Sequence, residues 1–259
     1  MENKPPSSHL PNSLVIEDTV VTGNERIAEL FNQHFVKCGN LFDSIAPPKP
    51  PTNTPPPSPS SAAPRHSFCL QEVSENDVLE VLSKLDPNKP AGLDGLDPFF
   101  FKVAAPIIAE AISHLCNLSI QTAVLPSAWK AALVQPLFKG GNHADPNCYR
   151  PISILPCIAK VFEKLVCKQL TWFLKTYNIL SDMQSGFRAG HGCETATLKV
   201  LNDIINALDS RQYCAAIFID LAKAFDTVDH QLLLGKLRSI GVTNQSIAWF
   251  ENYLSMPSV

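Results

Sequence analysis

None of the eight cysteines forms a CxxC pair, so the chain offers no zinc knuckle and no dithiol redox centre of that kind. Cys38, Cys69, Cys116, Cys148, Cys157, Cys167, Cys193 and Cys214 are scattered and read as reduced core or surface thiols. No stretch approaches the roughly 20 uninterrupted apolar residues of a membrane span. The N-terminus, MENKPPSSHL, lacks the apolar centre of a signal peptide. A soluble intracellular protein, cytoplasmic or nuclear and without a membrane, is expected. An overall positive charge is missing too. The formal net charge is -3, which excludes a protein that coats nucleic acid through bulk charge alone. There is no internal repeat.

What is present is charge arranged locally. Between Trp129 and His191, eight basic residues (Lys130, Lys139, Arg150, Lys160, Lys164, Lys168, Lys175, Arg188) stand against Asp145, Glu163 and Asp182. A basic region thus lies inside a mildly acidic chain. With 259 residues and 45% hydrophobic content, there is enough material for a core in one large domain or two small ones.

Proline divides the chain. Residues 47–64 hold nine prolines among Ser, Thr and Ala, a composition that cannot pack and predicts an extended or disordered linker. Such a run also suits a PxxP-reading module, although a plain spacer is the commoner meaning. Residues 1–46 form an N-terminal segment with one short helix, marked by a Thr22/Glu25 capping pattern and the stripe Ile27, Leu30, Phe31, Phe35. Residues 65–259 make up the remainder.

After the linker, Ser74 caps a helix with Val78, Val81, Leu82 and Leu85 inward, and DPNKPAGLDG breaks it. Pro106 is read as opening a second helix with Ile108, Ile112 and Leu115 on one face. The runs Ala131 to Phe138 and Tyr149 to Leu155 read as a hairpin around the turn-forming KGGNHADPNC. A helix is expected from Ile158 to Leu174, with Lys160, Lys164 and Lys168 outward, and another from Glu194 to Leu208. Tyr213 to Ile219, a continuous apolar run, reads as a strand buried on both faces. Leu233, Leu237 and Ile240 define a last helix that Gly241 terminates. The fold class is α+β and helix-rich.

The apolar run ends at Asp220. A carboxylate leaving a buried strand is rigidly held at the rim of a sheet, where metal chemistry needs it, yet an isolated Asp there is more often a helix or turn cap. Its neighbours decide between the two. FIDLAKAFDTVDH (Phe218 to His230) resembles the first palm motif of non-LTR (LINE-type) retrotransposon reverse transcriptases. Further blocks similar to that family follow its order: FNQHF (Phe31 to Phe35), KPAGLDGL (Lys89 to Leu96), PLFKGG with YRPISIL (Pro136 to Leu155), QSGFRAGHGCETA (Gln184 to Ala196) and WFENYLS (Trp249 to Ser255). Each block alone is weak, and the ordered set is strong.

The resemblance implies the fingers and the opening of the palm of a right-hand RNA-directed DNA polymerase, with magnesium as cofactor and an RNA template and DNA primer as partners. It casts Asp220 as a catalytic magnesium ligand aided by the Leu221 carbonyl. Phe225 becomes the ring that excludes a 2'-hydroxyl from the incoming sugar; taken alone, it would read as a core aromatic. Lys139 and Arg150 become triphosphate ligands, Arg150 through its planar fork. Solvated surface charge is an equal reading for Lys139. Arg188 becomes a contact to template or primer phosphates, with a structural ion pair equally open.

Asp226 and Asp229 read as helix caps rather than metal ligands, and His191, Cys193 and His230 show no metal spacing. The family's second carboxylate pair, in an aromatic-X-Asp-Asp core, does not occur in these residues. The expectation is therefore a truncated reverse transcriptase domain, inactive alone. A retained nucleic-acid-binding or interaction module and a pseudogene product are the competing readings.

Overall fold

The computed structural model describes residues 11–16, 19–39, 65–221, 224–225 and 227–255. The proline-rich run at 47–64 and Asp226 lie outside the described residues. The elements are mixed helix and sheet, with helices predominating.

Strands β1 (Ser13–Ile16) and β2 (Thr19–Thr22) form a short antiparallel hairpin that the sequence reading did not anticipate. Helix α1 (Asn24–Gly39) follows. Its first turn is set by Gly23, whose φ of 95° is open to glycine and whose carbonyl accepts from Ile27 N at 3.0 Å. Thr22 belongs to β2. Ile27 and Phe31 are buried, as their spacing predicts.

Helix α2 (Glu75–Ser83) starts at the expected Ser74, which exchanges hydrogen bonds with Asp77 in a capping box. Helix α3 (Pro98–Thr122) begins eight residues before Pro106. Pro98 is the opening proline, at a first-turn position where its missing N–H costs nothing. Ala105, Ala109, Ile112, Cys116 and Ile120 face the core, while Leu115 stays exposed, a stripe shifted from the expected one. By length and mean hydropathy α3 is apolar enough to cross a membrane, although Lys102, Glu110 and His114 interrupt its apolar run. One face of α3 packs into the core, while Phe100, Val103 and Ile107 on the rest of it stay exposed. Ser113 Oγ and Asn117 Nδ2 donate to Val73 O at 2.8 and 3.0 Å, and Ser119 Oγ accepts from Trp249 Nε1 at 3.1 Å.

A single turn, α4 (Ser127–Lys130), leads into β3 (Leu133–Phe138), which pairs antiparallel with β4 (Tyr149–Ile154) as predicted. Pro136 lies opposite Pro151. Counting back from the Lys139 N to Cys148 O bond of 2.9 Å, this is a non-hydrogen-bonded pair, so neither missing N–H breaks the ladder. Helix α5 (Cys157–Thr176) buries Phe162, Leu165, Val166 and Phe173 and turns Lys164 and Lys168 outward, as its period requires.

Helices α6 (Cys193–Asp209), α7 (His230–Ser239) and α8 (Asn244–Leu254) complete the chain. Leu234 is the buried residue of α7, whereas Leu233 is more than a third exposed. The largest departure is at Tyr213 to Ile219, which is neither a strand nor buried: Ile217, Phe218 and Ile219 are each more than 80% exposed. A strand exists only with a neighbour to take its backbone N–H and C=O groups, and among the described residues none pairs with this run. Helix α6 shows the same thing. It forms where predicted, but Leu198, Leu201, Ile205 and Leu208 are all exposed.

The main core joins α2, α3, α5, α7 and α8 around Phe162, Phe173, Trp129, Trp249 and Phe250. Segment 68–73 threads through it: Phe68 bridges Val242, and Leu70 N donates to Ser246 Oγ at 2.9 Å. Burial pushes the Cys116 thiol up to about 12 and the Cys157 thiol up to about 11. At pH 8 both should resist iodoacetamide in the native protein while the exposed Cys167, Cys193 and Cys214 react. Mass spectrometry of tryptic peptides would read this, and early labelling of Cys116 or Cys157 would contradict the packing.

Candidate active site

The β3–β4 hairpin presents two unlike faces. Opposed residues, and those two apart along a strand, share a face. Phe138 and Tyr149 lie on one side, where Tyr149 meets Phe31 of α1 edge-on at 4.9 Å in a small core with Leu14 and Ile27. Two of the recognised blocks, FNQHF and YRPISIL, are thereby in contact. Val15 N donates to Ala144 O at 2.8 Å, tying β1 to the same hairpin.

The other side carries Leu137, paired with Arg150, and, one step on, Lys139, paired through its N–H with Cys148. Lys139 and Arg150 therefore share one exposed face of the hairpin, and neither is engaged in an ion pair among the described residues. The turn joining the strands is well fixed: Tyr149 Oη donates to His143 O at 2.9 Å, and the His143 ring stacks on Phe138 at 3.8 Å.

Arg188 hydrogen-bonds to its own loop and makes no ion pair among the described residues. Its Nη1 donates to Ser181 O at 2.9 Å and to Gln184 O at 3.2 Å, clasping its own loop. That loop carries Phe187 at φ 59°, a left-handed conformation rare for an aromatic, with the side chain 91% exposed. Phe187 stands edge-on to Phe225, with ring centroids 5.9 Å apart. The QSGFRAGHG block thus meets the FIDLAKAFD block through two rings. The sequence reading named only one of them. The signal for the other was present, an aromatic set within a glycine-rich loop.

Asp220, Leu221 and Phe225 are all exposed. Asp229 caps α7, its Oδ1 accepting from Gln231 N at 2.8 Å and Leu232 N at 3.0 Å, as expected. No three His, Cys, Asp or Glu residues among those described converge into a metal-holding group. Asp220 is thus a single carboxylate, and one carboxylate does not make a two-metal centre. The described donor set does not fit the catalytic magnesium pair.

Residues 139–259 match the family model described as reverse transcriptase (RNA-dependent DNA polymerase). The chain is 31% identical over 178 residues to the probable RNA-directed DNA polymerase from transposon BS of Drosophila melanogaster, covering 67% of this chain and 19% of that one. It is 33% identical over 155 residues to the probable RNA-directed DNA polymerase from transposon X-element of the same fly, covering 60% and 17%. It is 29% identical over 175 residues to the RNA-directed DNA polymerase from mobile element jockey, again of Drosophila melanogaster, covering 67% and 19%. Residues 139–259 belong to the LINE-type reverse transcriptase family. The chain spans under a fifth of the length of these relatives.

Within this reverse transcriptase segment the WFENYLS block is architectural. Trp249 and Phe250 are buried, Asn252 Oδ1 accepts from Leu125 N at 2.8 Å, and Tyr253 Oη donates to Glu163 Oε1 at 2.7 Å. Burial, together with that carboxylate, pushes the Tyr253 phenol upward. Lys130 Nζ donates to Asn252 O and, at 3.1 Å, to Ser255 Oγ. Lys130, counted in the basic region, is thus occupied inside the fold.

Proposed function

We propose that this chain supplies the fingers and the opening of the palm of an RNA-directed DNA polymerase acting on an RNA template and a DNA primer. The observation that supports this reading is the exposed hairpin face bearing both Lys139 and Arg150, a pair of cations of the kind that binds a triphosphate. Asp220 contributes one carboxylate toward magnesium, aided by the Leu221 carbonyl, and Phe225 packs against the sugar of the incoming nucleotide. Phe187, edge-on to Phe225, holds that ring in place. Arg188 acts at one remove, by fixing the loop that carries Phe187. The proline-rich run at 47–64 serves as a spacer between the N-terminal segment and residues 65–259.

The test is binding of a fluorescent deoxynucleoside triphosphate to residues 1–259. Hydrogen bonds to charged groups contribute about 1.5–3 kcal/mol each. The Lys139→Ala/Arg150→Ala double variant should therefore bind at least about tenfold more weakly. Unchanged affinity would remove the triphosphate site. Primer extension by the same protein should yield no product, because these residues lack the Asp-Asp pair. Magnesium-dependent incorporation abolished by Asp220→Asn would overturn that expectation.

A further inference from the structure

Helices α2 and α5 meet along a groove of about 470 Å3 that shares no residue with the hairpin face or with residues 218–230. Lys84, Lys164, Lys168 and Lys175 line it against the single carboxylate of Glu80. Glu80 is spoken for, bonded by Lys84 Nζ at 2.6 Å and by Lys168 Nζ at 3.0 Å, and those two ammonium groups hold its carboxyl down to about 2. Lys168 also lies 3.7 Å from Asp77. Lys164 and Lys175 have no acidic partner within ion-pair distance among the described residues. On α5 these two share a stripe with Lys168 and Trp172, at helical spacings of four, four and three, and are separated by about 16 Å at 1.5 Å per residue.

Trp172 lies between the two uncommitted lysines and is 64% exposed, whereas Trp129 and Trp249 are at most 9% exposed. Its ring meets no other ring among the described residues. An aromatic face flanked by free ammonium groups is the combination that holds single-stranded nucleic acid, by stacking a base and tracking its phosphates. Lysine is, by contrast, depleted from protein interfaces, which argues against an acidic protein as the occupant.

We infer that the α2–α5 groove is a docking site for a single-stranded polynucleotide, with a base stacked on Trp172 and flanking phosphates on Lys164 and Lys175. The choice of ligand rests on the polymerase reading; the site itself does not involve Lys139, Arg150 or Asp220. Lys84 and Lys168 keep Glu80 neutralised and leave the groove with net positive charge.

The experiment is anisotropy of a short labelled single-stranded RNA with residues 1–259, run across a salt titration beside tryptophan fluorescence. Trp172→Ala should weaken binding about tenfold. Lys164→Gln/Lys175→Gln should weaken it and flatten the dependence of log K on log salt by about 1.4, about 0.7 for each phosphate no longer neutralised. RNA should quench the native fluorescence and leave Trp172→Phe nearly unquenched. All these side chains are exposed, so the variants should keep the native circular dichroism spectrum.

Unaltered affinity and salt slope in both variants would overturn the site, as would tighter binding of polyglutamate than of RNA. Failure of the polymerase reading would show instead in the triphosphate measurement at Lys139 and Arg150, which these variants leave untouched.

Discussion

Alanine in place of Trp249 is expected to lower unfolding stability by about 3–5 kcal/mol, the usual range for deleting a large buried aromatic. Trp249 is only 2% exposed. Its ring lies edge-on to Phe162 at 5.5 Å and to Phe250 at 5.3 Å, and stacks on Tyr253 at 5.4 Å. Its indole N–H is also the hydrogen-bond donor that reaches Ser119 on α3. The variant therefore opens a cavity and strips a buried hydroxyl of a partner. A domain with a typical stability of about 5–15 kcal/mol would lose much of it. Urea unfolding followed by far-UV circular dichroism gives the measurement. Trp172→Ala, at an exposed position, should change the unfolding free energy by no more than about 0.5 kcal/mol. Equal effects for the two tryptophans would mean that α8 does not pack as described.

Gly92→Ala should destabilise almost as strongly for a different reason. A Cβ at Gly92 would fall 2.6 Å from Pro156 N, 2.7 Å from Pro156 Cα and 2.8 Å from Leu155 C. All three are backbone atoms, so no rotamer change relieves the overlap. The loop carrying KPAGLDGL must move away from the end of β4. Overpacking of this kind costs about 1–3 kcal/mol, and here the upper end is expected. Gly95→Ala is the contrast within the same block: its Cβ would meet nothing within 4 Å, and its penalty comes only from the φ of 67°. Chemical denaturation of both variants would separate crowding from backbone strain. A milder effect at Gly92 than at Gly95 would refute the close approach.

These two residues show how unevenly the sequence revealed the structure. The β3–β4 hairpin was legible because two apolar runs flank a cluster of Gly, Asn, Asp and Pro, and α5 was legible because its lysines and apolar residues alternate with the helical period. Both signals are local. What escaped was decided by distant partners. The β1–β2 hairpin draws on the far end of the β3–β4 turn through Val15 and Ala144. Tyr213 to Ile219 has the composition of a buried strand, but composition cannot supply the neighbouring strand that would pair with it. In α7 the period was right in kind and off by one residue, placing Leu234 inside rather than Leu233.

The candidate site was legible unequally for the same reason. Lys139 and Arg150 could be read on the two arms of a hairpin, whereas their common face depends on register, which only the pairing of Leu137 with Arg150 fixes. Phe187 became visible as a neighbour of Phe225 only through a contact 38 positions apart in the chain. Lys84 was left out of the basic region because it precedes Trp129, yet helix packing brings it beside Lys164 and Lys168.

The small core formed by Leu14, Ile27, Phe31 and Tyr149 makes the N-terminal hairpin and α1 behave as a ligand tethered to its own receptor. The tether, residues 40–64, is about 25 residues long. Attachment within one chain replaces a bimolecular encounter with an intramolecular one. Docking of the FNQHF helix should therefore depend on its few buried side chains, Ile27 and Phe31 foremost.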